Sequence, residues 1–321
     1  MCYSAMIWAD YRKYLKQTGS KLSMQGFLDA FGWRYDDGGL YAMRRVRVPK
    51  ALELAWANPP ASDPAQLEIK RLIDAYAMRQ EAVWQQELLE QRARLAKAEA
   101  RLAVKPDLKA ALNDKRIAAG KIVQREAWIE DLHRTEPEPR DSRMFPASFV
   151  PVMVWENGQR TIRLMRYQCR PKGAPAAHDI KFPGTYNARR DKLEGFWRRQ
   201  FGHSHAVIAV DRFYENVDRV RPDGKPYSTV IEFVPADGQT MFVACLWSHW
   251  SGPGEPDLDS FAIITDEPPP EVAAAGHDRC IVPIRPENID RWLQPDPSRL
   301  DALYKILDDR PRPFYEHREA A

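Results

Sequence analysis

Residues 149–167 read FVPVMVWENGQRTIRLMRY, and this stretch decides what kind of fold the chain builds. Phe149–Trp155 reads as a strand, rich in Val and aromatic side chains that suit a pleated surface. Glu156-Asn157-Gly158-Gln159 reads as a turn and Thr161–Tyr167 as the partner strand. Asn-Gly between two such runs is a strong hairpin signal. From this hairpin outward the chain keeps a β character. Strands are expected at Ala206–Val210, Ser228–Val234, Thr240–Trp247 and Phe261–Thr265. Ser228–Val234 and Thr240–Trp247, joined by Pro235-Ala236-Asp237-Gly238, read as a second hairpin. Pro268-Pro269-Pro270 breaks the last strand. Pro286–Leu293 and Pro297–Leu307 read as short helices, and the last ten residues as a polar tail. Hairpins with short helices between them make an α+β domain of mostly antiparallel strands.

Upstream, the composition changes. Asn58-Pro59-Pro60 marks a break, and Ser62 or Asp63 before Pro64 reads as an N-cap and first helical position. The run to about Leu102 is rich in Ala, Leu, Glu, Gln, Lys and Arg. Leu88, Leu95 and Leu102 recur every seven residues, as in a helical seam. Lys105-Pro106-Asp107 interrupts it. A second helix is expected to about His133, with Leu112, Ile122, Trp128, Ile129 and Leu132 as candidate buried positions. The segment 61–134 is thus a long antiparallel helical hairpin. Before it, a helix is expected near Met24–Phe31 and a turn at Asp36-Asp37-Gly38-Gly39. Tyr41–Val48 is a short strand or a basic loop. Its Arg44, Arg45 and Arg47 form either a solvated face or a phosphate contact. The expected organisation is 1–60 and 135–309 for the main domain, 61–134 for an inserted hairpin and 310–321 for the tail.

Composition limits the function. The chain has 321 residues, 44% of them apolar, enough for a sizeable core, and a formal net charge of +3. A nucleic-acid surface must therefore be a local patch. Asp10, Arg12, Lys13 and Lys16 interrupt the start before an apolar signal segment can form. No run of about 18 apolar residues exists, so no membrane span is expected. Cys2, Cys169, Cys245 and Cys280 show neither C-x-x-C spacing nor the density of a disulfide framework. Free thiols and a cytoplasmic, nucleoid-associated location are expected. The absence of G-x-G-x-x-G, P-loop and H-E-x-x-H patterns leaves no basis for a cofactor or a metal.

The first two residues carry the chemistry. A methionine aminopeptidase removes Met1 before a side chain as small as Cys, which would leave Cys2 with a free α-amine beside its thiol. Reference pKa values of about 8 and 8.5 give both groups a reactive fraction near neutrality. Such a 1,2-aminothiol condenses with an aldehyde to an imine and then closes to a thiazolidine.

Several motifs behind Cys2 occur in a fixed order. They are Phe145-Pro146-Ala147-Ser148, Met165-Arg166-Tyr167, Asn187-Ala188-Arg189, Phe213-Tyr214-Glu215, Ser260–Thr265, His277-Asp278-Arg279 and Trp292-Leu293. In this order the chain resembles the SRAP family (SOS response-associated peptidase), over roughly residues 1–50 and 140–295. The resemblance implies a mostly antiparallel, barrel-like β domain with short helices, here with the helical hairpin inserted. It also implies covalent capture of abasic sites in single-stranded DNA as a thiazolidine on Cys2. In that role Cys2 is the nucleophile. Glu215 moves protons in the carbinolamine and imine steps and in ring reopening. His277 hydrogen-bonds the opened sugar or shuttles its proton, and Asn187 holds the adduct and the Cys2 amine. Arg189 and Arg279 match family arginines and are the best phosphate contacts. Arg166, Arg198, Arg199 and Arg212 are further candidates. Tyr167, where the family usually has Trp, would stack on a base, and Pro146 matches a proline near the pocket.

The chain also departs from the family. It reads Cys2-Tyr3-Ser4 where members usually continue Cys-Gly-Arg, so no phosphate contact is expected from the third or fourth residue. Asn216 follows Glu215 where Trp is usual, and Asp191 replaces a Glu. The reading is of a single-turnover crosslinker with a lyase-type or autopeptidase activity still open. Two alternatives stand beside it. One is an N-terminal-nucleophile amidohydrolase. The other is a non-catalytic interaction protein whose hairpin contacts a partner protein or a second copy.

Overall fold

Asn157 and Gly158 both take positive φ, 51° and 77°, as a two-residue hairpin turn requires. The strands they join pair antiparallel from Phe149↔Arg166 to Glu156↔Gln159. The computed structural model describes residues 3–35, 46–253 and 255–320. Two compact units share the chain, Met1–Asn58 with Glu138–Ala321, and Pro59–Pro137.

In the first unit the strands that position the site are β1 (Ser4–Ile7), β2 (Phe149–Glu156), β3 (Gln159–Tyr167), β4 (Asn187–Arg189), β5 (His205–Val220), β6 (Pro226–Pro235), β7 (Met241–Gly252), β8 (Glu255–Asp266) and β9 (Tyr315–Glu319). β2 pairs with β3, β3 runs parallel to β8, and β8 is antiparallel to β7. β7 pairs with the first half of β5, which meets β2 at Val207↔Met153. The pairings thus return to their start. Alternate residues of these strands fill one interior: Val150, Val152 and Val154 of β2, Ala206, Ile208 and Val210 of β5, and Phe261 and Ile263 of β8. Period-2 alternation puts every second side chain on the core face. The expected helix near residue 24 is α1 (Gln25–Tyr35), which buries Phe27, Ala30 and Phe31.

The strand expected at Ala206–Val210 is only the first part of β5. Its second half continues past the charged Asp211 and Arg212 because it has partners on both sides. β6 pairs along it from Phe213↔Phe233 to Val220↔Pro226, and β1 pairs through Ser4↔Tyr214 and Ala5↔Phe213. The expected second hairpin does not form as a paired unit. The turn forms, with Gly238 N donating to Pro235 O at 2.9 Å, but β6 and β7 diverge from it onto different halves of β5. The expected polar tail is instead a paired strand. β9 pairs with β6 from Tyr315↔Pro235 to Glu319↔Ile231. Its one apolar anchor is Tyr315, edge-on to Phe213 at 5.3 Å. Backbone pairing supplies the rest, which side-chain hydropathy does not reveal. The expected turn at 36–39, and Tyr41–Arg45, lie outside the described residues. Arg47 forms an isolated bridge with Ser148.

The second unit is a pair of helices, α2 (Pro64–Val104) and α3 (Lys109–His133). Asp63 caps α2, its carboxylate accepting from Gln66 N at 3.1 Å, with Pro64 in the first turn. Ion pairs Arg92–Glu126 (2.8 Å), Arg94–Asp114 (2.6 Å) and Lys115–Glu99 (3.0 Å) tie the helices together. Of the seven-residue series, Leu88 is buried while Leu95 and Leu102 are half-buried. Leu112 and Trp128, expected inside, are exposed. On α3 the fully buried positions are Ala111 and Ala118, seven residues apart, where a small side chain lets two helix backbones approach closely. No helix among the described residues is long and apolar enough to cross a membrane.

Candidate functional site

Along β5, Phe213, Glu215 and Val217 are alternate residues and so face the same side. Phe213 stacks on Phe233 at 5.0 Å, and both it and Val217 belong to the core. Alternation therefore carries the Glu215 carboxyl inward, where it is 1% exposed. Taking a carboxylate out of water disfavours its charged form. Burial pushes Glu215 up to about 8.

Among the described residues, Tyr3 and His277 reach this carboxyl. β1 lies beside β5, and the amide before it, Tyr3 N, donates to Glu215 Oε2 at 3.2 Å. From the other direction, His277 Nε2 stands 3.4 Å from the same oxygen. His277 follows Gly276, whose φ is +96°. A Cβ at Gly276 would sit 2.8 Å from Val217 Cγ1. Arg219 Nη2 donates to Ala275 O at 3.0 Å. This loop is therefore pressed against β5 two residues from Glu215, and only glycine fits the turn that aims the imidazole. The shorter contact at Nδ1 is to Arg279 O, 2.8 Å, against 3.3 Å to Arg279 N. Nδ1 then carries the proton and donates to that carbonyl, leaving the Nε2 lone pair toward Glu215. Burial holds His277 below its ordinary value. At neutral pH the pair is thus a protonated carboxyl beside a neutral imidazole, a proton reservoir able to act as acid or base.

Around this pair the sequence-derived candidates divide. Asn187 is buried at the start of β4, which runs parallel to β8 through Asn187↔Ile263 and Arg189↔Thr265. Thr265 pairs on its other side with Ile281, so the strand after Arg279 flanks the same end of β8. Arg189 is exposed and bonded to Asp191 at 3.0 and 3.2 Å. That bond, with Lys192 and Arg279 nearby, holds Asp191 below the usual carboxylate range. Arg279 is half-buried, and its guanidinium stands 3.7 Å from Glu267. Pro146 is half-buried next to Phe145, whose ring meets that of Tyr3 at 5.9 Å. Arg198 is exposed beside a cleft it lines with Lys172, His178 and Arg199. Cys2 lies outside the described residues.

Two expectations do not fit their placement. Tyr167 is fully buried, its ring against Phe261 at 5.2 Å and Tyr186 at 5.5 Å, and offers no face to a base. Arg166 is buried too. It pairs with Asp179 at 2.8 Å and donates to Gln168 O at 3.1 Å, which leaves it a structural cation. Arg212 pairs with Glu232 at 3.0 Å. Both misassigned residues lie in the strand end that carries Met165-Arg166-Tyr167, where order in the sequence does not say which side faces in.

One residue was missed. Arg143 donates to Ser4 Oγ at 3.2 Å from Nε and 3.0 Å from Nη2, and its guanidinium lies 3.7 Å over the Tyr214 ring. A guanidinium thus stands at position 4 although the residue there is Ser. The signal available was an arginine two residues before Phe145-Pro146. Among the described cysteines, Cys169, Cys245 and Cys280 are buried. Burial pushes the thiols of Cys169 and Cys280 up to about 12 and that of Cys245 well above its usual range. None is a nucleophile at neutral pH.

The family profile described as SOS response associated peptidase (SRAP) matches residues 107–318. The chain belongs to the SRAP family. The matched range starts within the hairpin of the second unit, takes in α3, and contains Asn187, Arg189, Glu215, His277 and Arg279. Membership associates the chain with the SOS response to DNA damage and makes DNA the partner to expect. Among solved structures, a protein from Bordetella bronchiseptica is 20% identical over 56% of this chain and 87% of its own, with a TM-score of 0.46. One from Bacteroides thetaiotaomicron is 14% identical over 56% and 77%, also at 0.46. A phage-related protein from Bordetella bronchiseptica is 18% identical over 56% and 80%, at 0.41. None of the curated proteins matches.

Proposed function

We propose that this SRAP protein captures abasic sites in single-stranded DNA through Cys2, once Met1 is removed. The observation that carries the reading is Glu215. A carboxyl that keeps its proton to about pH 8 contacts His277 and the amide of Tyr3, and Tyr3 is the residue bonded to Cys2. The Cys2 amine adds to the sugar aldehyde to give a carbinolamine. Glu215 protonates the departing hydroxyl, water leaves, and an imine forms. Loss of water leaves the nitrogen protonated, and His277 relays that N–H proton back to the Glu215 carboxylate. The Cys2 sulfur adds to the imine carbon and its proton passes to nitrogen, closing the thiazolidine. Orienting amine, thiol and aldehyde together supplies up to about 7–11 kcal/mol of the barrier. Asn187 holds the opened sugar. Arg189 and Arg279 contact phosphate, and Arg143 supplies the guanidinium that Ser4 lacks.

The test is a denaturing gel of the mature protein mixed with single-stranded DNA carrying one abasic site. A heat-stable shifted band is expected, absent with Cys2→Ala. Cys2→Ser is expected to give a band only after borohydride trapping, because the imine forms and the oxygen ring closes less favourably. A full band with Cys2→Ala refutes the reading. Ammonia release from glutamine, without any band, would favour the amidohydrolase alternative.

A further inference from the structure

The two halves of the helical hairpin carry opposite charge. Residues 92–121, the end that contains the Lys105-Pro106-Asp107 turn, hold nine Lys and Arg against three Asp and Glu. The rest of the unit, 59–91 and 122–137, holds five against ten. The whole unit is near neutral, so its composition hides the asymmetry.

Contacts within the hairpin do not cancel the excess. Glu99 pairs with Lys115 at 3.0 Å. Asp114 serves Arg94 at 2.6 Å and Arg101 at 3.6 Å, and Lys97 also depresses its pKa, after the hydrogen bond from Arg94. Arg94, Lys97 and Arg101 follow one another at three- and four-residue steps, so they form one ridge of α2. Arg94 and Arg101 therefore share one carboxylate, with Lys97 on the same ridge. Lys97, Lys105, Lys109 and Lys121 are exposed, and among the described ion pairs none of them has a carboxylate partner.

We propose that this basic end is a second DNA-binding surface, one that holds the phosphodiester backbone without reading sequence. Each phosphate neutralised releases counterions, which gives such a surface affinity and a steep salt dependence. Like charges at this density on an α-helical pair repel one another when solvated, and a polyanion relieves that repulsion. The surface uses neither an abasic site nor Cys2, so it stands or falls separately from the crosslinking reading.

The test measures anisotropy of undamaged single strands and undamaged duplexes over a range of salt. Wild type is compared with the full-length triple variant Lys97→Gln, Lys105→Gln, Lys109→Gln. Gln keeps helix propensity close to that of Lys, and helical content by circular dichroism confirms the fold. A matched control is Lys70→Gln, Arg71→Gln, Arg79→Gln in the acidic half, which removes the same formal charge. The distal triple is expected to bind roughly tenfold more weakly, with a log–log salt slope shallower by roughly two. The control is expected to bind as wild type does. Whichever of strand or duplex loses more identifies the form held. Equal losses in the two triples would reduce the effect to net charge and overturn the proposal. So would an unchanged slope in the distal triple, or a loss confined to binding of anionic phosphatidylserine vesicles.

Discussion

Glu215 occupies a position where strand alternation calls for an apolar residue, between Phe213 and Val217. A buried carboxyl there lowers stability at high pH. The folded state holds this proton up to about 8, the unfolded chain only to the ordinary 4.5. Between those values the folded state binds more protons, so stability falls as pH rises. The contribution is complete below about pH 4.5 and is lost through about pH 8. Urea unfolding should show wild type losing stability across this window, with Glu215→Gln flat and more stable at its upper end. Capture is expected to follow the same proton. Single-turnover crosslinking should slow above about pH 8 in wild type. It should be roughly 10²-fold slower at neutral pH in Glu215→Gln, without that falling limb. A variant as fast as wild type would remove the carboxyl from the mechanism. At this scale the sequence pointed to Glu215 through the Phe213-Tyr214-Glu215 motif of the resembled family, not through strand period, since the expected strand ended at Val210. It was unreadable where a charge is satisfied by a distant partner. Nothing near Arg166 in the chain announces its pairing with Asp179, and Arg143 reaches Ser4 only because its strand lies beside β1.

Elements decide where those residues meet. The loop bearing His277 is set by Gly276, at a φ that L-residues avoid and with Val217 where a Cβ would go. Gly276→Ala is expected to cost roughly 1–3 kcal/mol and to slow capture toward the rate of His277→Ala. A thermal melt and the same single-turnover assay check both, and an unaltered rate would show that the loop does not aim the imidazole. The first hairpin was fully readable because its turn residues and strands are local. The second was misread because β6 and β7 take partners from β5, a choice made by contacts distant in sequence. β9 was invisible for the same reason. An edge strand held by backbone hydrogen bonds needs little apolar patterning.

At the scale of the molecule, the helical pair was evident from its Ala-, Leu- and Glu-rich composition and from the capping Asp63. Its basic stretch 92–121 is contiguous in the sequence, and the turn between the helices brings that stretch to one end of the pair. In the first unit, the helix Lys50–Ala55 packs against the turn Pro139–Ser142. The chain ends that flank the second unit therefore start from neighbouring elements. Replacing residues 59–137 with a flexible Gly-Ser linker should leave the yield of crosslink at saturating DNA unchanged, while weakening noncovalent binding. A gel titration reads both, and a lost crosslink would give the hairpin a part in capture. What ties the residues, strands and units together is the claim that the terminal amine and thiol act jointly on a sugar carbonyl. Tandem mass spectrometry of the adduct, after nuclease and protease digestion, tests it most directly. The account predicts an N-terminal peptide that lacks Met1 and carries the sugar remnant on Cys2; a remnant on a lysine, or an intact Met1 on the crosslinked chain, would contradict it.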